Sequence, residues 1–288
     1  MRFSSAKEFR DRPHKAVTIF GMSGVGKTSL AKLLMKEGWF HYSVDYRIGT
    51  HYMGEHIVDN FKREAMKVKF LRDLLKSDSI FISSNITFEN LAPLSTFVGK
   101  PGNPDKGGIS FPEYCRRQAL HREAEIAALR DVPMFINKAR EIYGYDHFIC
   151  DSGGSLCEVV DAENPDDPVL RTLADHTLLL YIRGTEQHAR TLVDRFSKDP
   201  KPMYYQVDFL REKWGEYKSL LKIKNDDEVD PDGFAVWGFE QLVHHRIPLY
   251  EAMARNFGYT IDMEDIPSLK CESDFAAALG SIIDRANA

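Results

Sequence analysis

The chain has 288 residues, 43% of them hydrophobic and 28% charged, which is enough apolar material for one large α/β domain or two small ones and excludes disorder for most of its length. A formal charge of −5 gives no general basic footprint for nucleic acid or a membrane surface, although a local basic patch escapes such a count. No apolar run reaches bilayer length, and the opening MRFSSAKEFRDRPHK lacks the apolar centre of a secretion signal, so the expected location is the cytoplasm and no membrane partner is expected. Cys115, Cys150, Cys157 and Cys271 show neither C-x-x-C spacing nor a disulfide pattern, which predicts free thiols in a reducing compartment.

After a polar lead-in over 1–15, Ala16 to Phe20 is short, β-branched and closed by a glycine, as a buried parallel strand is. Gly21-Met22-Ser23-Gly24-Val25-Gly26-Lys27-Thr28 follows and fits G-x-x-x-x-G-K-[ST], and the helical apolar spacing of Leu30, Leu33 and Leu34 begins directly afterwards. Strand, glycine-rich loop and helix in that order make a phosphate-binding loop. Glycines let the backbone approach the phosphates, and the N–H groups from Ser23 through Ser29 point at the anion. Lys27 spans the β- and γ-phosphates, and Thr28 ligates magnesium. The spacing is not the G-x-G-x-x-G of dinucleotide folds.

Trp39 to Val44 reads as a second strand ending at Asp45, and Tyr52 to Lys76 as one or two amphipathic helices. Ser79 to Ile86 is a candidate strand or buried loop, and the glycine- and proline-dense 99–108 an exposed, mobile loop. Helices near 111–130 and 132–143 lead to a short strand at 146–150, then Thr177 to Ile182 forms a strand buried on both faces. Helices at 185–196, 204–221 and 233–257, an acidic linker at 225–232, a strand at 259–261 and a helix at 273–286 complete the chain.

Asp151 ends a strand, where a carboxylate can hold magnesium through water beside the phosphate loop or can simply cap a helix. Asp45 ends the strand after the loop, where it can accept a proton from an attacking hydroxyl or cap the segment from Tyr46. Asp151-Ser152-Gly153-Gly154 fits the D-x-x-G of GTP switches. Asn137-Lys138-Ala139-Arg140, however, carries arginine where guanine selection needs a carboxylate, and it precedes Asp151. Adjacent His244 and His245 point about 100° apart on a helix and cannot share a metal. Arg183, Arg190, Arg195, Lys198 and Lys201 form either a solvated face or a lid over triphosphate.

Taken together, these residues resemble the shikimate kinase branch of the nucleoside-monophosphate-kinase-like P-loop proteins. Gly21 to Thr28 matches the loop, Asp45 the second carboxylate of the family's D-x-D, and Ser152-Gly153-Gly154 its glycine-rich substrate turn. Arg195 through Pro202 is similar to the lid segment, and Arg246-Ile247-Pro248-Leu249-Tyr250-Glu251 to R-x-P-L-Y-E, in which the arginine binds the substrate anion. Ser43 replaces the family's first carboxylate, which shifts magnesium toward Asp151. Phe61-Lys62-Arg63-Glu64 matches F-R-x-x-E only loosely, and the stretch from 65 to 145 is far longer than the family's, so shikimate is not the expected acceptor.

The expectation is a single three-layer α/β P-loop domain over 1–288, with a mainly parallel sheet and an inserted helical module at 65–145. It would use ATP and Mg2+ to move the γ-phosphoryl group to a hydroxyl of an anionic small molecule. Lys27, Asp45 and Arg195 would do the chemistry, and Asp45, Gly153, Gly154 and Arg246 would hold the acceptor. The alternative is a regulatory ATPase whose insertion, basic from Lys62 to Arg130, grips a protein or nucleic acid.

Overall fold

Five short runs of the chain become strands: β1 (Ala16–Phe20), β2 (Trp39–Ser43), β3 (His147–Asp151), β4 (Leu178–Arg183) and β5 (Gly258–Asp262). In the computed structural model, which describes all 288 residues, they form one all-parallel sheet in the order β2-β3-β1-β4-β5. Every residue of β1 and the first five of β4 are buried, as strands covered by helices on both faces must be. The register sets Ile19 beside Asp151 and Phe20 beside Tyr181, so the ends of β1, β3 and β4 come level.

The chain also forms thirteen α-helices. They are α1 (Ala6–Arg10), α2 (Lys27–Lys36), α3 (Val44–Arg47), α4 (Gly54–Ala65), α5 (Lys69–Lys76), α6 (Ala92–Val98), α7 (Phe111–Arg130), α8 (Val132–Glu141), α9 (Pro168–His176), α10 (Glu186–Lys198), α11 (Val207–Leu221), α12 (Pro231–Phe257) and α13 (Glu272–Ala286). The residues divide into two compact units, one of Met1–Val44, Ile126–Asp199 and Val236–Ala288, the other of Asp45–Glu125 and Pro200–Ala235.

The first unit holds the whole sheet. Local chemistry starts its helices: Asp167 accepts from the N–H groups of Val169 and Leu170, both at 2.9 Å, with Pro168 in the first turn of α9. In α10, Thr185 accepts from the N–H of His188 at 3.0 Å. The 160–176 region carried no predicted element, although Asp167-Pro168 is a helix-start signal.

The second unit is helical and organised around α7. Arg117, buried, donates to Glu113 at 2.8 Å, to Asn60 at 3.1 Å and to the Phe97 carbonyl, while its guanidinium lies over the Phe97 ring. Gln118, also buried, accepts from the Tyr205 N–H at 2.9 Å, and Tyr114 donates to the Met203 carbonyl at 2.7 Å, so polar groups of α7 fix the 203–205 segment. Phe111 stacks on Trp214 with ring centroids 4.5 Å apart.

Three expectations change. Ser79 to Ile86 is neither strand nor buried loop: no strand pairs with it, and Phe81 is 87% exposed. A β-prone run with no edge to join cannot satisfy its backbone groups as a strand. The 99–108 loop is anchored at its start, where Pro101 and Gly102 are buried and the N–H of Asn103 donates to the Val229 carbonyl at 2.8 Å. At Gly102, φ +131, a Cβ would stand 2.5 Å from that same carbonyl, so glycine here serves a close backbone contact as well as a turn. Finally β2 stops at Ser43, and Val44 begins α3 instead of ending the strand.

Candidate functional site

The glycine-rich loop leaves the carboxyl end of β1 and enters α2 through Gly26, whose left-handed conformation (φ 103) carries no side-chain cap. The first-turn N–H groups of α2 are therefore claimed by no capping side chain, which is the condition for an anion to claim them. Gly21 at φ +139 passes so close to β4 that a Cβ would lie 2.5 Å from the Ile182 carbonyl, so the loop's entry is moulded against the sheet. Lys27 is buried to 7% exposure, with Nζ donating to the carbonyls of Gly21 at 2.7 Å and Met22 at 2.9 Å. Its charge is thus held inside the curl of the loop.

Thr28 donates from Oγ1 to Asp151 Oδ2 at 3.0 Å, joining the first turn of α2 to the end of β3. The other carboxylate oxygen of Asp151 accepts from the N–H of Gly153 at 3.2 Å, and Ser152 donates from both N and Oγ to the Ile19 carbonyl. The turn after β3 is thereby bound to β1. On β2, burial holds the His41 imidazole below its usual pKa, against the upward pull of Asp151. No group of three or more His, Cys, Asp or Glu residues is arranged so that it could hold a metal ion by itself. A divalent ion at Thr28 and Asp151 would take its remaining oxygens from phosphate and water, as magnesium commonly does.

A cavity of about 570 Å³ opens on the other side of the loop, lined by Gly24, Gly26, Ser29 and Leu33 and by Met263, Ile266 and Pro267 from the segment after β5. Sequence reasoning missed the second group because nothing local marks residues 263–267 as neighbours of Gly26. It missed His188 as well. That residue sits in the first turn of α10, and its Nε2 donates to the Ser23 carbonyl at 3.0 Å.

Arg246 lies on α12, 4% exposed, with Nε on Glu158 at 2.9 Å and Nη1 on the Gly154 carbonyl at 2.7 Å. Tyr250, one turn on, donates to the same carbonyl at 2.6 Å. Burial acts to lower the pKa of the guanidinium, but Glu158 beside it, together with Tyr250 and Cys157, outweighs burial and leaves the value above that of a free arginine. The partner of Arg246 is thus a carboxylate of the chain itself, fully buried and far away in sequence, where the motif leads one to expect a substrate anion. Arg195 is exposed in the last turn of α10, and Asp45 lies in the first turn of α3 as the first residue of the second unit.

The all-parallel sheet, the loop after its central strand and the uncapped helix that follows decide the architecture. The fold is of the P-loop NTPase type. No model of a known protein family matches the chain, and no curated protein sequence matches it. Among solved structures it is similar to a shikimate kinase from Bacteroides thetaiotaomicron, known from a 1.7 Å crystal structure, at 14% identity over 94% of this chain and 96% of that one, with a TM-score of 0.36. That likeness adds no residue to the site, which stands on the contacts above.

Proposed function

We propose that this P-loop protein is an ATP-dependent phosphotransferase acting on a hydroxyl of a small molecule. The observation that carries the proposal is the joining of three features at one point: an uncapped helix N-terminus, a buried lysine ammonium inside the loop before it, and a threonine bonded to a carboxylate at the end of the neighbouring strand. The loop from Gly21 to Ser29 would hold the phosphates through backbone N–H groups, with Lys27 matching their charge. The cavity beside Met263 and Ile266 has the apolar walls and the volume suited to a nucleobase. Thr28 and Asp151 would hold magnesium, which when bound neutralises charge on the phosphate oxygens.

For the acceptor, Asp45 is assigned the proton of the attacking hydroxyl, and Gly153 and Gly154 the surface against which the acceptor rests. Arg246 and Tyr250 hold that surface by converging on the Gly154 carbonyl. Because Glu158 matches the charge of Arg246, an anionic acceptor would have to displace that carboxylate or use another cation, and Arg195, in the exposed last turn of α10, is the one assigned to close over transferring phosphate.

A regulatory ATPase gripping a polyanion is the weaker reading. In the second unit Lys62, Lys67 and Lys69 are paired with carboxylates three or four residues away, Arg116 and Arg117 share Glu113, and Lys100 and Lys106 are paired with Asp232 and Asp230. Cations already matched by neighbouring carboxylates make a poor phosphate-binding face. The test is mass spectrometry of a metabolite extract incubated with the protein, ATP and magnesium. A species heavier by one phosphoryl group, absent with Lys27→Ala and with Asp45→Asn, supports the phosphotransferase. ADP and inorganic phosphate with no such species would favour the ATPase.

A further inference from the structure

His188 stands in a slot that two glycines leave open. A Cβ on Gly24, in the phosphate loop, would lie 3.2 Å from its Cε1, and a Cβ on Gly184, between β4 and α10, would lie 3.1 Å from its Cδ2. Gly24 has its own reason to be glycine, since its φ is +78. Gly184 does not: its φ lies outside the left-handed region, and what a side chain there would meet is the imidazole of His188 and Cγ1 of Val25, the latter at 3.3 Å. The missing side chain at Gly184 therefore admits the ring and the loop together.

The ring makes one directed contact, from Nε2 to the Ser23 carbonyl at 3.0 Å. A carbonyl accepts only, so the proton is on Nε2. Ser23 C=O and Gly24 N–H belong to one trans peptide plane and point in opposite directions. Holding the oxygen toward α10 turns the Gly24 N–H the other way. We infer that His188 is a positioning residue for the phosphate loop, fixing the Ser23–Gly24 peptide so that the Gly24 N–H is preset as a donor to a nucleotide phosphate; the inference rests on the nucleotide-binding reading above. In the absence of this hydrogen bond the peptide is free to rotate, and a bound phosphate must reorder it.

Binding of ATP with magnesium is measured by calorimetry on the full chain and on His188→Ala, His188→Asn, His188→Gln and Lys27→Ala, with melting temperatures alongside. The Gln amide nitrogen reaches the place of Nε2, whereas that of Asn falls short of it. The expected result is a loss of affinity of about five- to tenfold for Ala and Asn, on the scale of one directed hydrogen bond, with Gln close to wild type. Should the Ala variant fail to fold, the comparison of Asn with Gln carries the same information. Equal affinity for Asn and Gln, or wild-type affinity for Ala, while Lys27→Ala abolishes binding, overturns the role of His188 and leaves the nucleotide site standing. Wild-type affinity in Lys27→Ala overturns the nucleotide site and this inference with it.

Discussion

Lys27 and Arg246 are both buried cations, and the difference between their partners decides what each substitution does. Lys27 Nζ donates to the Gly21 and Met22 carbonyls, which holds the ammonium inside the loop where a phosphate would be bound. Lys27→Ala is expected to abolish ATP turnover, checked by ADP release. Arg246 is neutralised by Glu158, and Arg246→Ala removes the guanidinium from a buried carboxylate whose other neighbour is His245 at 3.8 Å. The expected cost is about 3–5 kcal/mol in urea unfolding, far above the few tenths of a surface pair. A change below about 1 kcal/mol would show that the pair is not buried in solution. The motif around Arg246 was legible, whereas Glu158, 88 positions away, was not, because no local pattern selects one acidic residue among many.

At the scale of elements, the glycines separate by cause. Gly258 opens β5, where a Cβ would stand 2.4 Å from the Leu179 carbonyl of β4, and a paired backbone cannot yield. Gly258→Ala is expected to cost at least about 2 kcal/mol. Gly38, at φ +86, has nothing within 4 Å, so Gly38→Ala meets backbone strain alone, about 1 kcal/mol. Paired denaturation curves rank the two. Helix α7 carries a pH response: hydrogen bonds from Arg116, supported by Arg117, hold the Glu113 carboxyl at about 2 against an ordinary 4.5. The depressed value means that its contribution is complete above about pH 4.5 and is lost as pH falls toward 2, an effect of about 1 kcal/mol after screening. Unfolding from pH 6 to 2 should show this acid limb flattened in Glu113→Gln.

For the whole molecule, a ligand that binds only the folded chain stabilises it by mass action. At about a hundredfold excess over its dissociation constant, ATP with magnesium is expected to add about 2.7 kcal/mol, seen as a rise in melting temperature that Lys27→Ala abolishes. Strand positions were readable at this scale because β1, β3 and β4 are continuous apolar runs, a direct consequence of burial on both faces. Ser79 to Ile86 also carries β-prone residues, Ile80, Phe81, Ile82 and Ile86, and forms no strand, because pairing requires a neighbouring edge and composition does not supply one.

By itself the sequence determined the glycine-rich loop, the strand before it and the helix after it, since these depend on φ angles, helix ends and apolar runs, all set by residues within a few positions. It also determined that Asp151 closes a strand. Only the tertiary structure decided that Thr28 meets Asp151, that Arg246 is answered by Glu158, and that His188 fills the slot between Gly24 and Gly184. Those pairings follow from strand order and helix placement, which bring together residues that sequence separation leaves unrelated, and the free energy that selects them is summed over the whole core.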